Sequence, residues 1–480
     1  MKPAPPTDAT GTDSPGAGRD ARAVVPSPWP ARHVAVVVTL LFALAILKGA
    51  RLPNLWSATH MTFNYSGGFI RRGLVGELVR RIAGEKSFHY YNLVLVAIAL
   101  FVAVGVALGV LVARVLATGR RDLVLVAAVL VFVASPALVF FIHIIGYLDY
   151  IGLFAFLLVI LVSSRARRPF AIFLLWAPLG CVLALVHEAQ ALMFGPAVFF
   201  VMLCHVARVT EPQQGPRRAR VPLYAAAVVS ALVTVAASAI VSAFGTKSPA
   251  TILALQSQIG RFANFPLRGD AFEALYHTTR EVALTAIPTH WSREDTRTLL
   301  MTSVLAVLPG LAFLLWYGVR LIRRLPLARG TRRLLVATFI AATLAPELLH
   351  FLGWDSPRWN AITVIVAFCC VAALRLFFFA GQEGQQGQQG QQGKEGQEGQ
   401  EGKEGKEGMP GVAGAGAVPP PPTVEPLTLT LAALAIVIGL TTSYRDFLFD
   451  GYVVRWFPFD DRWAAAAEVI RSHFTYIPRY

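Results

Sequence analysis

NYSGGFIRRGLVGELVRRI, residues 64–82, follows the first long apolar run of the chain and decides how the rest is read. Leu74, Leu78 and Ile82 fall at i, i+4 and i+8 with Val75 and Val79 beside them, while Arg71, Arg72, Glu77, Arg80 and Arg81 take the other positions. An apolar stripe opposite a charged one is the pattern of a short helix lying along a membrane surface rather than crossing it. Gly67 and Gly68 stand just before it and let backbone N–H groups come close to a ligand.

Outward from this segment, apolar runs of about 18 residues or more recur, each long enough to cross a hydrocarbon core roughly 30 Å thick. They lie at roughly 33–50, 92–113, 123–143, 148–164, 170–187, 190–207, 222–244, 299–319, 333–351, 361–380 and 427–443. The expectation is an all-α fold: a polytopic transmembrane helix bundle of about 11 spans, with an interfacial amphipathic helix in its first outer loop. Composition agrees, with 55% hydrophobic residues among 480 and a mean hydropathy of +0.56. A net charge of +15 would suggest nucleic acid in a soluble chain. Here the basic residues sit mainly between apolar runs, as orientation signals, and nucleic acid is set aside as a partner. The four cysteines, Cys181, Cys204, Cys369 and Cys370, all fall inside apolar runs without CxxC or Cys/His spacing, as small core hydrophobes do.

Short loops rich in Lys and Arg stay in the cytoplasm. GRR at 119–121, RARR at 165–168, RRAR at 217–220 and RLIRRLPLARGTRR at 320–333 are placed inside; IGYLDY at 145–150, HEAQ at 187–190 and GWDSPRWN at 353–360 are placed outside. The alternation closes with the N-terminus in the cytoplasm and the C-terminus beyond the cell membrane. Residues 1–32, rich in Pro, Gly, Asp and Ala, are expected to form a disordered cytoplasmic tail, since a cleavable signal would begin with a short basic stretch. Residues 33–380 hold ten spans, 381–426 a low-complexity cytoplasmic linker, and 427–480 the last span with a short extracytoplasmic tail. Within the linker, 381–408 repeats glycine at every third position, but no proline fills the other two and nothing apolar is available to bury, so disorder is expected.

On this topology the polar clusters gather outside: 64–81, 146–150, 187–190, HWSREDTR at 290–297, 353–360, YRDF at 444–447 and DDRW at 460–463. Ionisable groups at a membrane mouth are expensive unless paired or hydrated, which makes them functional candidates, although each alone also fits an interfacial cap or snorkelling anchor. In residues 64–86, Arg71, Arg72, Arg80, Arg81 and Lys86 outweigh Glu77 and Glu85, against the positive-inside bias. Something anionic must offset them: outer-leaflet headgroups, or a lipid-linked substrate whose phosphate oxygens match the guanidinium fork. Arg71 and Arg72, joined by Arg358 and His187, are the candidate ligands of a lipid phosphate.

Asp149, Glu188 and Asp355 are the candidate catalytic carboxylates, because a general base must be a positioned carboxylate or imidazole beside the reacting hydroxyl. The same three could hold a divalent metal through hard oxygens, yet no DxD or HExxH spacing supports one, so no cofactor is firmly implied. Glu347 and His350 lie three apart, on one helical face. Tyr147, Trp354 and Trp359 suit either stacking on a sugar ring or an interfacial aromatic belt.

A first span, a long first outer loop with an interfacial helix, many further spans and polar residues gathered outside extend over roughly 33–380. This architecture resembles the C-type glycosyltransferases, polytopic enzymes that use polyprenyl-phosphate sugars outside the membrane. The resemblance implies glycosyl transfer from such a donor at the extracytoplasmic face, in cell-envelope glycan or glycolipid assembly, with membrane lipid and a polyprenyl phosphate as partners. The family usually places an Asp or Glu early in the first loop as base or metal ligand. Asn64 stands there in this chain and Glu77 lies inside the helix, which shifts the expected base to Asp149. Polysaccharide polymerases and ligases, which gather outer Arg and His around lipid diphosphates without a metal, remain a rival reading. So does a transporter or flippase, which would need ionisable groups near the midplane and internal repeats. A non-enzymatic membrane protein is the third alternative.

Overall fold

The computed structural model describes residues 31–84, 88–119, 122–166, 169–210, 221–278, 281–282, 284–285, 294–351, 355–380 and 426–441. The N-terminal tail up to residue 30, the repeat and proline-rich insert at 381–425, the C-terminal tail from 442, and Trp354 lie outside these residues. All regular structure among the described residues is helical. In chain order the helices are α1 (Ala31–Gly49), α2 (Leu55–His60), α3 (Leu74–Ala83), α4 (Tyr90–Ala117), α5 (Leu123–Val133), α6 (Pro136–His143), α7 (Asp149–Ser163), α8 (Pro169–Val186) and α9 (Gln190–Met193). They continue as α10 (Gly195–Thr210), α11 (Val221–Phe244), α12 (Pro249–Gly260), α13 (Gly269–Glu273), α14 (Glu294–Arg324), α15 (Arg329–Leu344) with a 3-10 extension (Ala345–Phe351), α16 (Ser356–Phe378) and α17 (Pro426–Thr441).

The described part of each apolar run is mainly helical. Among the described residues, seven helical stretches are long and apolar enough to cross a membrane, and four more are apolar but only 10–17 residues long. Three expected spans are subdivided, the run at 190–207 breaking at Phe194 between α9 and α10. The run at 123–143 stops at Val133 and restarts at Pro136, because a proline inside a helix cannot donate and clashes with the preceding turn. Ser135 caps the restart by accepting from the Leu138 amide. The run at 333–351 tightens into the 3-10 turn from Ala345 onward, just where Pro346 removes a donor.

α16 is the axis of the bundle. It is buried from Ser356 to Phe377, and α14, α6, α10, α15, α4 and α5 pack around it. Its length of 23 residues is about 34 Å at 1.5 Å per residue, enough for the hydrocarbon thickness. An arginine marks each end. Arg358 on the first turn pairs with Asp149, and Arg375 on the last turn pairs with Asp122 at 2.9 Å. Asp122 also caps α5 through the Val124 and Leu125 amides and accepts from the Tyr317 hydroxyl.

The Arg358 end carries a cap that hydropathy does not reveal. Residues 50–84, with 88–90 after them, and 245–278 fold over it together, around an apolar cluster of Phe63, Ile70, Phe88, Ile252, Leu255, Ile259 and Phe272. Between the two segments the Arg71 amide donates to the Gly245 carbonyl, the Tyr90 amide to Asn264, and the Arg268 amide to the Thr59 hydroxyl. α3 is amphipathic as its spacing predicts: Val75, Gly76 and Glu77 face the protein, whereas Leu78 and Ile82 are 49% and 83% exposed. A helix that turns its glutamate inward and its leucine outward fits an apolar surrounding on the outer side.

Candidate functional site

Arg72 is the one non-glycine residue with positive φ among the described residues, at 62°. A left-handed conformation at a bulky residue costs about 1–3 kcal/mol and persists only where the surroundings fix it. Here the surroundings do. Gly68, at φ 101°, turns the chain within the exposed rim Ser66–Phe69. Gly73 lies against the Tyr65 ring, and Gly76 presses α3 onto the backbone of 61–63, where a Cβ would meet carbonyl oxygens. Below it, the Glu77 carboxylate accepts from Arg80, Arg81 and the Tyr65 amide. Those bonds, led by the one from Arg80, hold its carboxyl down at about 2. Glu77 is therefore the staple of this loop.

The turn aims both arginines inward. Arg72 grips Glu188, with Nε 3.1 Å from each carboxylate oxygen and Nη2 2.5 Å from Oε1. Arg71 is buried; its guanidinium donates to the Ala274 and His277 carbonyls, its Nη1 lies 3.8 Å from Glu188, and its Nε has no hydrogen-bond partner. Burial pushes the Glu188 carboxyl up, but Arg72 and Arg71 outweigh it and keep it well below the usual carboxylate range. Beside it, His187 Nδ1 accepts the Ala189 amide at 3.1 Å, which requires that nitrogen to be unprotonated. Burial, then Arg72, pushes the His187 pKa well below normal, so the ring is neutral.

A second centre forms around Arg358. Its Nε and Nη2 fork both oxygens of Asp149, at 2.5 and 2.6 Å, and its Nη1 lies 3.3 Å from Asp355. The Asp149 side chain is wholly buried, whereas that of Asp355 is 27% exposed. One aromatic column joins the two centres: His60 stacks on Trp56 at 3.8 Å, Trp56 on Tyr147 at 5.0 Å, and the Arg358 guanidinium lies 5.1 Å from the Tyr147 ring and 4.5 Å from Trp359. Stacking of guanidinium on rings adds to the charge pairing and fixes the plane of the fork. His60 is buried with Nε2 unpartnered, and burial followed by the fields of Arg72, His187 and Arg358 lowers its pKa well below normal. Burial raises the Tyr147 phenol pKa.

All seven candidates from the sequence, Arg71, Arg72, Asp149, His187, Glu188, Asp355 and Arg358, thus meet at one end of the bundle, as three guanidiniums against three carboxylates with neutral histidines between. Two features add to what the sequence suggested, and one pair it singled out gains partners. His60 and Trp56 belong to the site, and their signal was the Asn54 cap of a short helix, whose side chain accepts from the Ser57 amide. Residues 245–278 contribute the carbonyls that hold Arg71. Glu347 and His350, 2.8 Å apart, continue inward through Asn360 to Ser303. Among the described residues no three His, Cys, Asp or Glu side chains converge in a metal-ligand set.

Residues 31–264 match the family described as uncharacterised membrane protein Rv1490. That stretch carries Arg71, Arg72, Asp149, His187 and Glu188; Asp355 and Arg358 lie beyond it. No curated protein and no solved structure matches the chain.

Proposed function

We propose that this multi-pass membrane protein binds the phosphate of a lipid carrier at the Arg72–Arg358 site and transfers a sugar from a polyprenyl-phosphate-linked donor at the extracytoplasmic face. The observation that carries the reading is convergence: four separate segments each deliver ionisable groups to one mouth of the bundle, under a cap, with an exposed glycine rim beside them. Planar guanidiniums bearing carboxylates are poised for exchange with phosphate, whose oxygens accept the same fork.

The roles follow from the partners each side chain already holds and, for the carboxylates, from exposure. Arg72 and Arg358 face the anion, while Arg71, tied to two carbonyls, positions the turn. Asp149 has both oxygens committed to Arg358, so it acts as a positioning residue that aims that guanidinium. Asp355, the most exposed of the three carboxylates, takes the proton of the acceptor hydroxyl as its oxygen attacks the anomeric carbon. The bond from that carbon to the phosphate oxygen breaks, and the phosphate leaves against the arginines.

The test is equilibrium binding of farnesyl phosphate to the purified full chain in nanodiscs. Arg72→Lys keeps the charge but loses the fork, and is expected to weaken binding by about 1.5–3 kcal/mol, roughly tenfold to a hundredfold. Binding unaffected by Arg72→Lys and Arg358→Lys alike would refute the phosphate role and leave these arginines as anchors of the cap.

A further inference from the structure

We propose that Glu188 is a built-in competitor for the phosphate position and selects dianionic, diphosphate-linked lipids over monoanionic phosphodiesters. The inference rests on the phosphate-binding reading above and narrows the donor class.

The geometry supplies the competitor. A carboxylate that receives two parallel N–H bonds from Arg72, Nε to Oε2 and Nη2 to Oε1, fills the place where a phosphate would dock, and it carries one negative charge. It is part of the chain, so it competes without a cost in association entropy. An incoming phosphodiester, also singly charged, gains no charge over the group it displaces and leaves a buried carboxylate without its partner. Membranes are rich in such phosphodiesters; a fork open to them would be occupied by bulk lipid.

Charge counting shows what displaces it. Arg71 Nη1 at 3.8 Å and Arg72 at 2.5 Å face one carboxylate, two positive charges against one negative. His187 and His60, the other titratable groups facing this point from the α8–α9 turn and α2, are neutral, and Arg358 on α16 is held by Asp149 and Asp355. Once Glu188 loses Arg72 it keeps only Arg71, at 3.8 Å, as a charged partner. A diphosphate brings two charges to the Arg72 fork, one more than the carboxylate it displaces, whereas a phosphodiester brings no more than that carboxylate did. The buried Arg71 Nε, which has no partner, is the further donor such a ligand could engage. A diphosphate-linked sugar fits this balance better than a monophosphate-linked one.

The experiment compares farnesyl diphosphate with phosphatidylglycerol as ligands of the full chain in zwitterionic nanodiscs, for wild type and Glu188→Gln. Taking the ratio of the two affinities within each protein and comparing it across proteins cancels the difference in tails. The wild type is expected to prefer the diphosphate. Glu188→Gln keeps the shape but loses the charge, so phosphatidylglycerol should bind about tenfold more tightly and the preference should shrink by a similar factor. An unchanged preference, with farnesyl diphosphate still bound by the wild type, overturns the competitor role alone. A wild type that binds neither ligand removes the phosphate reading itself. If Glu188→Gln does not fold, Glu188→Asp decides, since its shorter arm must loosen the fork and lower the preference; no change overturns the proposal. Inorganic pyrophosphate competing as well as the lipid would overturn the lipid-linked part.

Discussion

Asp149 and Arg358 stand 209 positions apart in the chain, yet share two hydrogen bonds in the most buried part of the site. Removing one partner of such a pair strands the other charge, so Asp149→Asn should lower stability by about 3–5 kcal/mol, read as a fall in the melting temperature of the purified protein. Replacing both partners by apolar residues of similar size should restore much of that loss, and failure of the double variant to recover would show that the pair does more than neutralise itself. Glu77 gives a pH prediction. Its folded pKa of about 2 lies below the roughly 4.3 of a free glutamate, so its contribution is complete above the higher value and is lost as pH falls towards the lower one. Proteolysis of the 64–84 loop should rise across that window, and Glu77→Gln should flatten the profile. Sequence made the ions of this site conspicuous because arginines in a loop that the basic-loop pattern assigns to the outside, and carboxylates at helix ends, are out of place. It did not make the pairing legible: that Arg72 meets Glu188 rather than a solvent anion depends on a contact across 116 positions. His60, in a short stretch with no apolar period, gave no charge signal either.

At the scale of elements, every long apolar run became a helix, because a 3.6-residue ladder satisfies the backbone wherever water is scarce. The short elements of the cap were harder to see. α12 begins at Ser248–Pro249, a capping serine followed by proline at the first helical position, and Ser135–Pro136 opens α6 in the same way. Both signals are visible in the sequence, but one is buried in an apolar run and the other in a polar one, where hydropathy passes over them. α3 offers a test of the cap itself. A methyl group at Gly76 would land on the Phe63 carbonyl, so Gly76→Ala should undock the helix at about 1–3 kcal/mol, as overpacking does elsewhere. Faster cleavage around residue 84 in the variant is the expected sign; an unchanged cleavage pattern would mean that the helix is not seated on that backbone.

The whole molecule is a bundle strung on α16, with its ionic site at one end and the Arg375–Asp122 pair at the other. Assigning the site to the outer face follows the basic loops, and it predicts opposite labelling of the two ends in intact cells. Ser66→Cys, on the exposed rim, should react with an impermeant maleimide from outside, and Arg329→Cys only after the membrane is opened. Cys204, Cys369 and Cys370 are buried, and replacing the half-buried Cys181 by serine removes the remaining native thiol as background. Reversed labelling would place the site in the cytoplasm. The most direct measurement of the central claim is photo-crosslinking in native membranes with a farnesyl diphosphate analogue carrying a benzophenone on its isoprenoid tail, followed by peptide mapping. Crosslinks confined to the segments around the site, 52–72, 145–150 and 355–362, and lost in Arg72→Lys, are the predicted result. Crosslinks spread over the lipid-facing helices, or indifferent to Arg72, would contradict it.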